Sequence, residues 1–273
     1  MLKARLISAA ILVPLVVYGV LNLSTAMFAL LLGCVLLAGA WEWSRLVPLQ
    51  GLPARLAYTA VIGGLMGLLW QAGLMQLINP LLLAGVAWWL VALFWLSRPQ
   101  LGGQTTLLSV NLKMLAGILV IIPAWAALTG LHAHGSGGGP KLVLMLLVMV
   151  WLADSGAYFA GRQWGRTRLA PVVSPGKTWE GVYGGLLASL VFAGVAGGLY
   201  GGSLKWTLTF MLVSLMAVLF SVAGDLLESL MKRQSGIKDS GSIIPGHGGI
   251  LDRIDSMLAA APMFLAGFQW LGL

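Results

Sequence analysis

Charge is what this sequence has least of. Only 9% of its 273 residues are Asp, Glu, Lys or Arg, against about 25% in an average soluble domain. A soluble fold of this length needs more polar surface than that to cover its core, so a soluble globular protein is excluded. The chain is 59% apolar with mean hydropathy +0.93, which excludes disorder as well. Cysteine occurs once, at Cys34, so no disulfide framework can form within the chain. The short alternating segments of a transmembrane β-barrel are missing too. Long unbroken apolar runs fill the sequence instead, the pattern of an all-α polytopic membrane protein.

A helix needs roughly 20 apolar residues to cross a bilayer. Nine stretches qualify, at about 6–22, 26–44, 56–72, 80–97, 114–131, 142–160, 181–200, 206–230 and 256–272. Lys3 and Arg5 before the first run give it the look of a signal peptide. No small-residue cleavage site follows, so the run reads as a retained first helix. Several of the twelve tryptophans fall near span ends, where amphipathic rings favour the interface. Others read as packing between helices.

Fourteen of the sixteen basic residues lie at the N-terminus or in loops after even-numbered spans; only Lys141 and Lys205 lie on the other side. The positive-inside rule then puts the N-terminus in the cytoplasm and the C-terminus outside. The net charge of +8 is mostly this topology signal, so nucleic-acid binding is not needed to explain it. His132 and His134 sit just before a glycine-rich outer loop; two ligands there make a weak metal site.

There are eight acidic residues, and seven lie between 154 and 255; the eighth is Glu42. A carboxylate at the centre of a membrane helix costs about 2.5–3.5 kcal/mol on insertion scales, so such residues are functional candidates. The predicted topology gathers Glu42, Asp154, Asp225, Glu228, Asp252 and Asp255 at the depth of the inner interface. A transporter or channel would place charges at the midplane and repeat its halves, and the sequence does neither. Asp225 and Glu228 are three residues apart, as are Asp252 and Asp255, so each pair shares a helix face. Hard cations take such oxygen ligands together with substrate phosphates. Without a cation the four carboxylates would repel one another. Either they are spread apart or something positive sits among them.

Between these acids runs a loop with Lys232, Arg233, Lys238, Asp239 and the turn Pro245-Gly246-His247-Gly248-Gly249. Glycines let backbone N–H groups approach phosphate oxygens, and a helix start adds further donors. A second loop reads Ser174-Pro175-Gly176-Lys177-Thr178-Trp179-Glu180-Gly181. It lacks the upstream glycine and the preceding strand of a nucleotide-binding P-loop. Pro175 and Gly176 are expected to form a turn that presents Lys177.

The stretch from Ser229 to Asp255 resembles the signature of the phosphatidate cytidylyltransferase family, also called CDP-diacylglycerol synthases. It carries Ser-x-x-Lys-Arg, Lys-Asp, Pro-Gly-His-Gly-Gly and Asp-Arg-x-Asp in order. The 174–181 loop and Asp154-Ser-Gly-Ala-Tyr158 resemble that family as well, and Trp41-Glu42-Trp43 does so weakly. The resemblance is strong over about 150–260 and loose over the nine-span layout. It implies transfer of CMP from CTP to phosphatidate, giving CDP-diacylglycerol and diphosphate. A polyprenol or lipid kinase is the alternative, and it would lack this signature.

With that resemblance, Asp225, Asp252 and Asp255 are assigned to Mg²⁺, with Glu228 and Asp154 as helpers and two metal sites expected. Lys177, Lys238, Asp239, His247 and Arg253 are assigned to catalysis. Ser174, Thr178, Lys232, Arg233, Gly246, Gly248 and Gly249 are assigned to substrate. Residues 1–140 are expected to hold spans one to five, and 141–273 to form the catalytic region with cytoplasmic loops 161–180 and 231–255. The expected partners are CTP, phosphatidate and the bilayer of the cell inner membrane, with no nucleic acid and a homodimer left open.

Overall fold

The computed structural model describes residues 2–49, 51–135, 137–201, 203–241 and 248–273. Among them nine helices follow one another: α1 Leu2–Asn22, α2 Thr25–Leu46, α3 Gly51–Gln71, α4 Ile78–Ser97, α5 Leu107–His132, α6 Gly139–Trp164, α7 Trp179–Gly201, α8 Leu204–Gln234 and α9 Leu251–Trp270. Each expected span falls on one of them. Seven, α2 to α8, are long and apolar enough to cross a membrane. The all-α membrane fold is therefore as the composition indicated.

Several helices outrun their apolar cores. α5 starts at Leu107, where the Thr106 hydroxyl accepts from the Ser109 N–H at 3.2 Å and caps the free end. α8 continues to Gln234, with Lys232 and Arg233 beside the negative end of its dipole. Hydropathy marks where lipid ends, whereas backbone hydrogen bonding carries a helix on into the interface.

α9 is the central element. Every residue from Ser256 to Ala266 is buried, and the helix packs on α8, α5, α4, α6 and α2. Lipid-facing side chains lie instead on peripheral helices, such as Leu187, Val191, Val195 and Leu199 along α7. α6 and α7 make the closest pair. A Cβ on Gly184 would meet the Ala160 methyl group and come within 2.8 Å of the Gly156 carbonyl. Small residues at such an interface let helix backbones touch, which is how helices associate where lipid removes the hydrophobic drive.

The loop between α6 and α7 departs from expectation. It forms an antiparallel hairpin, β1 Arg168–Ala170 and β2 Ser174–Thr178, in the register Arg168↔Thr178 and Ala170↔Ser174. The turn lies at 171–173, closed by Val173 N–H donating to the Ala170 carbonyl at 3.2 Å. Ser174 to Thr178 is therefore strand, not the turn expected from Pro175 and Gly176. A two-stranded ribbon has two edges, so Pro175 needs no ladder N–H there.

Candidate active site

The hairpin is tied down at both ends. Glu180, in the first turn of α7, accepts the Arg166 and Thr167 N–H groups at 3.1 and 3.2 Å. The Thr178 hydroxyl accepts from Gly181 N–H at 3.2 Å, capping the start of α7. At the turn, Arg233 of α8 donates to the Val173 carbonyl at 3.4 Å. Held this way, β2 carries Lys177 to α8, where its ammonium lies 2.6 Å from the Asp225 carboxylate.

This ion pair forms one wall of a cavity of about 440 Å³ between α6, α7, α8 and β2. Asp154, Tyr158 and Arg162 line it from α6, one helical turn apart, with Lys177 and Thr178 from β2 and Asp225 and Ser221 from α8. Small residues, among them Ala153, Ala157, Gly181 and Gly185, also line it. A Cβ on Gly181 or Gly185 would crowd the Ala157 or Ala153 carbonyl of α6, respectively, and both glycines line the cavity.

A second charged cluster lies on the α9 side of α8. Lys232 is held 3.0 Å from Glu228 and 2.7 Å from Asp252. The other oxygen of Asp252, Oδ2, accepts from the Gly249 N–H at 2.8 Å, the Ser240 hydroxyl at 2.9 Å and the Ser240 N–H at 3.1 Å. Glu42 of α2 joins from the other half of the chain, accepting the Leu251 N–H at 2.7 Å and lying 3.2 Å from the Ser240 hydroxyl. Asp255 sits between the two clusters, within electrostatic reach of Asp225, Glu228 and Lys177. α8 and α9 touch there, because a Cβ on Gly224 would run into the Asp255 carbonyl.

The structure thus brings Asp154, Lys177, Thr178 and Asp225 to one cavity. It brings Glu228, Lys232, Gly248, Gly249 and Asp252 to the adjoining cluster. Several residues read as substrate contacts engage the protein itself: Lys232 two carboxylates, Arg233 the hairpin, Thr178 the α7 cap and Gly249 Asp252. Gly248 takes φ +81°, a left-handed conformation open to glycine, with Asp252 beside it. Lys238, Asp239 and Arg253 are exposed, and Ser174 opens β2. Gly246 and His247 lie outside the described residues. His132 serves packing: it lies 3.1 Å from the Thr25 hydroxyl and 3.0 Å from the Val20 carbonyl, and stacks on Phe28. Sequence reading left Glu42 and Ser240 out of the site. Glu42 carried a signal, as the lone acid before residue 154; Ser240 carried none.

Among the described residues no three Asp, Glu, His or Cys side chains converge as a preformed metal site. The acids are spread over two clusters and lysines sit among them, so both outcomes foreseen for the four carboxylates occur together. The donor set nonetheless suits a hard cation. Oε1 of Glu228 is buried without a hydrogen-bond partner, and Asp225 and Asp255 are oxygen donors on adjacent turns of touching helices. Asp252 differs, since both its oxygens already have protein donors.

The fold and the site define a helical membrane protein with a charged cavity of about 440 Å³ at one end of its bundle. The Cytidylyltransferase family profile matches residues 3–271, and the chain belongs to that family. The phosphatidate cytidylyltransferase of Pseudomonas aeruginosa is 45% identical over 267 residues, 97% of this chain and 96% of its own length. That of Haemophilus influenzae is 38% identical over 281 residues, 97% of each chain. That of Bacillus subtilis is 42% identical over 124 residues, 45% of this chain and 46% of its own length. The family indicated by the 229–255 signature is the family found.

Proposed function

We propose that this protein transfers CMP from CTP to phosphatidate at the cytoplasmic face of the cell membrane. Similarity to full-length phosphatidate cytidylyltransferases over 97% of the chain carries this reading. The cavity supports it chemically, because two cations, Lys177 and Arg162, and two carboxylates line one pocket between apolar helices. In the reaction an oxygen of the lipid phosphate attacks the α-phosphorus of CTP. The new P–O bond joins CMP to phosphatidate, the bond to the β-phosphate breaks, and diphosphate leaves. The nucleophile is already ionised, so no strong general base is required. What the reaction demands is positioning and neutralisation of phosphate charge.

Lys177 supplies positive charge from β2 to the phosphates, exchanging Asp225 for a phosphate oxygen. Asp225, Asp255 and Glu228, with Asp154 beside them, would hold Mg²⁺. That ion would neutralise charge on the transferring phosphoryl group. Asp252 acts from the second cluster by holding the loop before α9, and Lys232 balances its charge and that of Glu228. The lysine- and arginine-rich ends of the spans favour a cytoplasmic site.

Purified protein with phosphatidate, Mg²⁺ and labelled CTP tests the reading. Label at the α-phosphate is expected in the lipid product, and label at the γ-phosphate in diphosphate. γ-Label in the lipid would make the protein a kinase. No label in lipid from either position would remove phosphatidate as acceptor.

A further inference from the structure

Ser240 and the start of α9 are held from the far half of the chain. Glu42 belongs to α2, and its side chain is 1% exposed. It accepts the Leu251 N–H at the start of α9 and faces the Ser240 hydroxyl. Arg45, one turn further along α2, donates to the Ser240 carbonyl at 3.2 Å. Ser240 and Leu251 are thus anchored on one helix, across roughly two hundred residues of sequence.

The fit is tight. A Cβ on Gly241 would collide with Glu42 Oε1, and one on Gly249 with Glu42 Oε2 and the Ser240 hydroxyl. Glycine at these positions therefore makes room for the Glu42 carboxylate. Ser240 also faces Asp252, at 2.9 Å. Its single hydroxyl hydrogen can go to only one carboxylate at a time. Glu42 and Asp252 are coupled through it, and Asp252 in turn fixes Lys232.

We propose that Glu42 is a positioning residue for the transfer reaction: it ties Ser240 and Leu251 to α2 and so sets Asp252 and α9 in register with α8. This rests on the function proposed above. Glu42 touches no substrate. Its effect on the chemistry runs through Ser240 and Asp252.

Glu42→Gln keeps the size of the side chain and removes one acceptor and the charge. It is expected to fold in detergent and to keep KM for CTP and phosphatidate within about twofold. Its kcat should fall roughly ten- to hundredfold, the scale of a lost buried charge-assisted hydrogen bond. Trypsin should cut after Lys238 faster than in wild type, because Ser240 is released. Glu42→Asp, too short to reach both partners, should lose turnover similarly. Ser240→Ala should also do so, and Glu42→Gln with Ser240→Ala should lose no more than the worse single variant.

Unchanged kcat per folded molecule in Glu42→Gln overturns the proposal. So does unchanged trypsin cleavage. If Glu42→Gln does not fold, full turnover in a folded Ser240→Ala variant overturns it instead. The cleavage measurement needs no substrate. A wild type that makes no CDP-diacylglycerol would therefore sink the functional reading while leaving the cleavage measurement to judge the tie.

Discussion

Lys177 and Asp225 form an ion pair at 2.6 Å that joins the α6–α7 hairpin to α8 along one wall of the cavity. Lys232 forms the other pairing on α8, with Glu228 and Asp252. The two lysines look alike in sequence and differ in burial. Lys177 is 26% exposed and Asp225 32%, whereas Lys232 is 14% exposed between partners at 2% and 9%.

That contrast separates two substitutions. Lys177→Met breaks a partly exposed pair, so its stability should change by less than about 1 kcal/mol. Its turnover should fall by roughly 10²–10³-fold, the scale of one lost contact to developing charge. Lys232→Met leaves two buried carboxylates uncompensated and should destabilise the fold by about 3–5 kcal/mol. Thermal unfolding in detergent and specific activity measure both. A stable Lys232→Met variant, or an active Lys177→Met one, would reverse the roles of the two lysines.

Metal dependence should divide the acids. Chelation should abolish activity reversibly. Asp225→Asn and Asp255→Asn should each lose turnover and weaken Mn²⁺ binding seen by paramagnetic resonance. Asp252→Asn should lose turnover yet keep Mn²⁺ affinity, because protein donors already engage both its oxygens. Full turnover in excess chelator would remove Mg²⁺ from the reading. A large loss of Mn²⁺ affinity in Asp252→Asn would make it a ligand.

Topology can be read with an impermeant thiol reagent in a Cys34→Ser background. Gln163→Cys, at the end of α6, should be protected in intact cells, and Lys205→Cys, at the start of α8, should react. Labelling in the opposite pattern would place the cavity on the outer face. The motive is the uneven distribution of basic residues.

The α6–α7 contact gives a test that runs against helix propensity. Gly184→Ala should destabilise by about 1–3 kcal/mol, since the new methyl group meets Ala160 and the Gly156 carbonyl. Gly198→Ala, where a Cβ meets nothing within 4 Å, should be neutral or stabilising by up to about 1 kcal/mol. Melting temperatures of the two variants should move apart. Equal shifts would mean that the two helices do not pack this closely.

The sequence by itself determined the membrane class, the positions of the helices and the family. Each of these is written locally: apolar runs in single spans, basic residues in single loops, the signature within 229–255. It also marked most of the charged residues at the site, because an acid in an apolar chain is conspicuous wherever it lies. Only the tertiary structure decided how those charges are shared. Lys177 reaches Asp225 because an unforeseen hairpin carries it there. Asp252 is engaged on both oxygens by Lys232, Ser240 and Gly249. Glu42 reaches the start of α9 from α2, a contact between the two halves of the chain that spacing does not show. Spacing along a chain fixes which face of a helix a residue occupies. Which faces meet is set by the packing of small residues such as Gly184 and Gly224 across helices, and that information is spread over the whole bundle.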